Sequence, residues 1–201
     1  MKEIIIGTQN SAKIKQISGA LSGLNIEVKG LPYKMDDIEE NGSTAQENAR
    51  LKAKEYSQKL EEIVLSMDNA LYLEGLSDNE QPGINVRRIP GTTNRPSDIE
   101  ALNYYVNIIE KMGGEVNGKW EFAICLAKDG EIIDEITIIS PRLFVSKPSP
   151  KIVEGYPLES IQVDMESKIY ISDMTQKEQN EFWQRTIGEE ICKFIERNEI
   201  L

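Results

Sequence analysis

The chain has 201 residues, enough for one medium domain, or one domain with an extended lobe, with a substantial buried core. Its 23 Lys and Arg against 34 Asp and Glu give a formal net charge of -11, which opposes binding to a nucleic-acid polymer, because sequence-independent affinity for DNA or RNA comes from neutralised phosphates. Histidine is absent, which excludes His-based triads, His-ligated zinc and imidazole bases and leaves acid–base chemistry to Asp, Glu, Lys or Tyr.

Residues 2–6, with the apolar run Ile4, Ile5, Ile6, read as a buried strand, and residues 11–22 as an amphipathic helix that stops at Gly23. Between them lies Gly7-Thr8-Gln9-Asn10-Ser11-Ala12-Lys13. A strand that runs through a polar turn into a helix points unpaired N–H groups and the positive end of the helix dipole at whatever sits above the turn, an anion site in outline. The order is close to a Walker A loop, but Ala12 stands for its second glycine and Ile14 for its metal-binding Ser or Thr, which argues against a P-loop NTPase. An ordinary strand-to-helix turn, with Asn10 or Ser11 as N-cap, explains the same residues.

Residues 26–29 alternate as a short strand, and strand, helix, strand at this spacing suggests an α/β sheet with the first strand in its interior. Asp36 to Glu40 is an acidic loop, with Asp36, Asp37 and Glu39 read as solvated charges. Thr44-Ala45-Gln46-Glu47 has the form of a capping box opening a helix to about Lys59. Capping explains Glu47, and so does a carboxylate turned into a site beside that helix start.

Residues 63–67 read as a second buried strand ending at Asp68 and Asn69, where open α/β sheets place their ligands and where a turn residue is equally at home. Residues 75–97 form a long irregular segment, a length usual for functional loops, disordered segments or interfaces. Ser97 or Asp98 caps a helix through about Met112, closed by Gly113-Gly114. Residues 120–127 and 132–139 make two strands joined at Lys128-Asp129-Gly130. After Pro141 the pattern weakens until Thr175, beyond which Phe182, Trp183, Ile187, Ile191, Phe194 and Ile195 mark one face of a helix. Cys125 and Cys192, far apart and without zinc spacing, read as buried, reduced thiols. No signal peptide precedes Ile4 and no apolar run approaches bilayer length, so the expectation is a cytoplasmic protein without a membrane partner.

Taken together, these pieces resemble the inosine/xanthosine triphosphate pyrophosphatase family. A TxNxxK motif appears as Thr8, Asn10 and Lys13. The more specific ExGxTxxENAxxKA appears as Glu40, Gly42, Thr44, Glu47, Asn48, Ala49, Lys52 and Ala53. A DDSGL strand end appears as Met67-Asp68-Asn69-Ala70-Leu71, and PGxxSAR as Pro82-Gly83 followed by Arg88. The match is strongest over residues 1–91. Met67 departs from the first aspartate of the acidic pair. Gly155-Tyr156-Pro157-Leu158 lacks the aspartate of a FGYDPIF-like segment, and Trp183-Gln184-Arg185 lacks the histidine of SHR.

The resemblance implies a single α/β domain over residues 1–201, a mixed sheet with flanking helices forming two lobes around a nucleotide cleft. It implies Mg²⁺-dependent hydrolysis of a nucleoside triphosphate, a non-standard purine such as ITP or XTP, to monophosphate and pyrophosphate, in a homodimer. It places Asp68, Lys13 and Glu40 in catalysis and Glu40, Glu47 and Asp68 on the metal. Thr8, Asn10, Lys13, Lys52, Asn69, Arg88, Tyr156, Lys168 and Arg185 fall on the substrate. The departures leave two alternatives open: a nucleotide-binding or regulatory relative with weak or no catalysis, and a pyrophosphatase with altered base specificity.

Overall fold

The computed structural model describes residues 2–36 and 38–199; Asp37, expected in the solvated acidic loop, lies outside them, while Asp36 and Glu39 are exposed. Six strands form one mixed sheet in the order β2-β1-β3-β4-β5-β6. They are β1 (Lys2–Ile6), β2 (Ile26–Lys29), β3 (Val64–Leu73), β4 (Glu115–Lys128), β5 (Glu131–Val145) and β6 (Gln162–Val163). The helices are α1 (Ser11–Ala20), α2 (Ala45–Leu60), α3 (Asp98–Lys111), α4 (Gln176–Trp183) and α5 (Glu189–Arg197). β1 runs parallel to both β2 and β3, whereas β5 and β6 pair antiparallel. The expected α/β mixed sheet with an interior first strand is therefore present.

Contacts divide the chain into two compact units. The first holds the residues through Asn69, Glu121–Ile138 and the residues from Glu178 on; the second holds Ala70–Trp120 and Ile139–Lys177.

In the first unit, Ile4 and Ile6 of β1 and Val64 and Leu65 of β3 are fully buried, as interior parallel strands require. α2 lays a stripe of Ala45, Asn48, Ala49, Lys52, Ala53 and Tyr56 into the interior, the spacing of one helical face. Its start at Thr44 matches the sequence expectation, and its end passes into Glu61 with a left-handed φ of 55°. The C-terminal helical pattern is interrupted: α4 gives way to a π turn over Gln184–Gly188 before α5 resumes. A side chain at Gly188 would come within 2.3 Å of the Ala20 carbonyl oxygen, so the glycine lets this segment approach the end of α1. Gln184 also donates to Ser22 Oγ at 2.9 Å.

In the second unit, Leu71, Leu73, Leu102, Tyr105, Ile109, Val116, Phe144, Leu158 and Ile161 form one core cluster. Ser97 caps α3 in a complete capping box with Glu100. The segment 75–97 is irregular apart from a 3₁₀ turn at Asp78–Glu80, and Leu71 exchanges backbone hydrogen bonds with Gly83 at 2.9 Å.

Four expectations need correction. β3 does not end at Met67 but continues to Leu73, because Leu71 and Leu73 remain in the core and Leu71 finds a backbone partner at Gly83. Asp68 consequently sits within a strand. β5 continues through Pro141 to Val145, and β4 begins at Glu115, five residues ahead of the expected start. The turn between them is as expected, with positive φ at Asp129 and Gly130 (51° and 80°). Cys125 is a buried free thiol, pushed up to about 12 by burial, but Cys192 is only half-buried. Among the described residues no helix is long and apolar enough to cross a membrane.

Candidate active site

Parallel β1 and β3 bring the turn after β1 beside Met67 and Asp68, and the buried stripe of α2 supplies the third side. The two lysines of the sequence motifs converge there. Lys13 Nζ lies 3.3 Å from Asp68 Oδ1, and Lys52 Nζ lies 3.0 Å from the same oxygen. Both ammonium groups also donate to the Met67 carbonyl at 3.2 Å. Lys52 reaches Glu40 Oε1 at 2.8 Å. Asn48 donates to Asp68 Oδ2 at 3.2 Å, and its own Oδ1 accepts the Gly42 N–H at 2.9 Å.

This geometry sets the charge states. Burial pushes the Asp68 carboxyl up, but Lys13, Lys52 and Asn48 outweigh it and hold it below the ordinary carboxylate value, so it is ionised. Lys13 moves down, first through burial and then through the neighbouring Lys52 charge, with Asp68 and Glu40 opposing.

Met67 contributes to the cluster only through its main chain. Its side chain is fully buried, and successive side chains of a strand point to opposite faces, so the face bearing Asp68 receives from residue 67 a carbonyl that any amino acid would supply. Met67 thus joins these hydrogen bonds through its carbonyl alone.

The turn after β1 is first of all a capping turn. Asn10 is the N-cap of α1, its side chain accepting from the N–H groups of Ala12 and Lys13 at 2.9 and 3.4 Å, and Thr8 Oγ1 accepts from the Asn10 N–H at 3.1 Å. Two of the helix-start donors are thereby spent. The direct cation of this turn is Lys13.

Glu47 also stands apart from Asp68. Thr44 accepts the Glu47 N–H, but the carboxylate turns to Ser43, accepting from its N–H at 2.7 Å and its hydroxyl at 2.8 Å, which lowers its pKa. Among the described residues no group of three or more Asp, Glu or Cys is placed to hold a metal ion. The three-carboxylate set of Glu40, Glu47 and Asp68 does not fit a preassembled cation cage: Ser43 takes Glu47, and an ammonium lies between the other two.

Asn69 follows Asp68, with its Oδ1 buried and without a hydrogen-bond partner among the described residues. Arg185 lies in the π turn, its guanidinium 5.7 Å from the Phe182 ring centre. Arg88, Tyr156 and Lys168 belong to the second unit. Arg88 is exposed, and Lys168 is exposed with a left-handed φ of 60°. Tyr156 is half-buried, and burial first, then Glu159, raises its pKa. The loop before Tyr156 is tied down where Asp98 accepts from Arg87 at 2.6 Å and from the Gly155 N–H at 2.8 Å.

Asn48 is the site residue that sequence reasoning passed over. Its signal was its spacing, four residues before Lys52 in the alanine stripe of α2, which puts both polar groups on the buried face. Gly42 belongs with it. A side chain at Gly42 would lie 2.6 Å from Asn48 Oδ1 and 2.7 Å from Glu47 Cβ.

Known proteins match this chain over most of its length. The model of the Ham1 family matches residues 4–186. A dITP/XTP pyrophosphatase from Exiguobacterium sp. (strain ATCC BAA-1283 / AT1b) is 35% identical over 130 residues, covering 63% of this chain and 63% of that protein. One from Oceanobacillus iheyensis is 36% identical over 106 residues, covering 51% and 53%. The matched region thus spans less than two thirds of these relatives. In fold, a HAM1 protein from Coxiella burnetii superposes with a TM-score of 0.74 at 21% identity, covering 98% of this chain and 100% of that one. The Staphylococcus aureus Ham1 protein gives a TM-score of 0.69 at 22% identity, covering 97% and 98%.

Proposed function

The chain belongs to the Ham1 family, and from that premise we propose that it hydrolyses a non-standard purine nucleoside triphosphate, of the ITP or XTP kind, to the monophosphate and pyrophosphate. The observation that carries this reading is the convergence of Lys13 and Lys52 on the ionised Asp68. A buried and a half-buried cation with a carboxylate between them are the groups that cleavage between the α and β phosphorus needs: positive charge for the phosphate oxygens and a base for water. Relatives of this chain are named dITP/XTP pyrophosphatases, which supports the same substrate class.

In this reading the triphosphate oxygens take the Lys13 and Lys52 ammonium groups, with Thr8 and Asn10 shaping the turn that carries Lys13. As the lysines turn from Asp68 to phosphate, the carboxylate loses the partners that depress its basicity, and it becomes a better proton acceptor when the substrate is in place. Asp68, oriented by Asn48, takes a proton from a water whose oxygen bonds to the α phosphorus, while the bridging α–β bond breaks and its electrons leave with pyrophosphate. Asn69 is assigned to substrate binding and Arg185 to the base; for Arg88 and Lys168 as substrate-binding residues and Tyr156 as a base contact, the support is the motif resemblance alone. Mg²⁺ belongs to the reading as the counter-ion that the nucleotide's phosphates carry.

The same reading makes the protein a cytoplasmic homodimer. The free thiols of Cys125 and Cys192 suit a reducing compartment, and the residues 75–97 provide surface for a second copy. The net charge of -11 supports a small nucleotide over a nucleic-acid polymer.

The test is pyrophosphate release from a panel of standard and deaminated nucleoside triphosphates with Mg²⁺. Release from ITP, dITP or XTP in preference to ATP and GTP is expected. Release from a different nucleotide would move the base specificity, and binding without release from any would reduce the protein to a nucleotide-binding relative.

A further inference from the structure

Glu40 and Asp68 meet at a cation that the chain itself supplies. Lys52 Nζ is within 2.8 Å of Glu40 Oε1, 3.0 Å of Asp68 Oδ1 and 3.2 Å of the Met67 carbonyl oxygen. Two carboxylate oxygens and a carbonyl oxygen are the hard donors that a small divalent ion prefers, and here an ammonium group takes them. The Lys52 and Asp68 side chains are 8% and 10% exposed and Glu40 is 45% exposed, so the Asp68 end of the arrangement is withdrawn from water while Glu40 closes it from the surface side. With Lys13, two positive charges face two negative ones. A divalent ion entering this set alone would add two uncompensated charges where water screens them poorly. A triphosphate reverses that balance, because its oxygens give both lysines a new partner.

We propose that Lys52 is a tethered cation that keeps a divalent metal out of the free protein, so that the ion enters only together with the nucleotide's phosphates. Lys52 then has two successive partners: the Glu40 and Asp68 pair before substrate arrives, and phosphate afterwards. The transfer of its charge releases the two carboxylates at the moment the nucleotide brings its metal. The starting arrangement is built into α2, whose buried stripe carries Lys52 to Asp68 on β3. This inference rests on the reading of the cluster as a nucleotide site, but its decisive measurement uses no nucleotide.

The experiment is titration of the whole protein with Mn²⁺, following free ion by electron paramagnetic resonance. Wild-type protein without nucleotide should show no saturable binding below about 1 mM, the range of weak oxygen-ligand sites. A non-hydrolysable triphosphate with a methylene group between the α and β phosphorus should bring binding in. Lys52→Met should bind Mn²⁺ without nucleotide at least roughly tenfold more tightly than wild type, since it removes from the carboxylate pair a charge of the ion's own sign, and the gain should vanish in K52M/D68N. Saturable binding of Mn²⁺ to the free wild-type protein at micromolar concentration overturns the proposal, whatever the variant does. So does a folded Lys52→Met protein, checked by circular dichroism, that gains nothing. Should Lys52→Met not fold, Lys52→Gln takes its place and must show the same gain. Failure of the functional reading has a different signature: no binding or turnover of any triphosphate, with the nucleotide-free titrations unaffected.

Discussion

Asn48 holds Asp68 from the side opposite the lysines: its amide donates to Asp68 Oδ2 at 3.2 Å while the Gly42 N–H fixes its carbonyl end at 2.9 Å. The Gly42 bond decides which way the amide faces, because only the oxygen can accept. Asn48→Ala leaves both Asp68 Oδ2 and the Gly42 N–H without that partner. The expected loss of stability is about 1–3 kcal/mol, measured by chemical denaturation, together with a fall in kcat that exceeds any change in KM. Unchanged kcat in a folded Asn48→Ala protein would remove Asn48 from the orientation of Asp68.

Gly42→Ala attacks the same bond from the other end. The new methyl group would sit 2.6 Å from Asn48 Oδ1, a contact that real side chains do not make, so the loop or the amide must move. A destabilisation of about 1–3 kcal/mol is expected for such crowding. Gly91→Ala is not a matched control, since Gly91 has a φ of 82° and any cost there comes from backbone strain. Ser18→Ala, half-buried on α1, is the better comparison and should lie close to wild type.

In the second unit, Asp98 joins Arg87 to Gly155, the residue before Tyr156. Burial raises the Asp98 pKa, but the Gly155 N–H and Arg87 outweigh it and bring it below 3.8. The folded value lies under the unfolded one, so the stabilisation is present above the unfolded pKa and is lost as pH falls through the folded one. Asp98→Asn should therefore destabilise at pH 7 and approach wild type in strong acid. If Tyr156 contacts the base, the same variant raises KM for the preferred nucleotide more than it lowers kcat.

Glu159 gives the opposite sign. Burial lifts its carboxyl from 4.5 to about 7, with Arg142 and Lys151 opposing. The folded state then holds the proton more tightly than the unfolded chain, and stability falls as pH rises from about 4.5 to about 7, by about 3 kcal/mol in total. Glu159→Gln keeps the shape without the charge. It should flatten this dependence and raise the melting temperature at pH 8, with little effect at pH 4.5. Equal melting of the two proteins at pH 8 would contradict the assignment.

What the sequence disclosed followed its periodicity. β1, α1, α2 and α3 were legible because alternation, helical spacing and the caps Asn10, Thr44 and Ser97 all point the same way. β3 was cut short because Asp68 and Asn69 look like a turn, and only the tertiary partner at Gly83 shows that the strand continues past them. β5 was cut at Pro141 for a similar reason, a local breaker overruled by long-range pairing. Lys13, Lys52, Glu40 and Asp68, which the structure joins by ion pairs, stand out in the sequence through motif spacing. Glu47 was placed with them because spacing does not reveal that Ser43 claims its carboxylate. A sequence displays side chains, so the part that Met67 plays through its carbonyl, which accepts from Lys13 and Lys52, was not legible in it.

The account turns on Asp68, so the most direct measurement is the rate of pyrophosphate release by Asp68→Asn on the nucleotide that wild type hydrolyses best. Asparagine keeps the size of the side chain and removes its capacity to take a proton. The expected result is a fall in kcat of roughly 10²–10⁴-fold, the worth of a placed general base, in a protein with the wild-type circular dichroism spectrum. A folded Asp68→Asn protein that releases pyrophosphate at close to the wild-type rate would contradict the central claim.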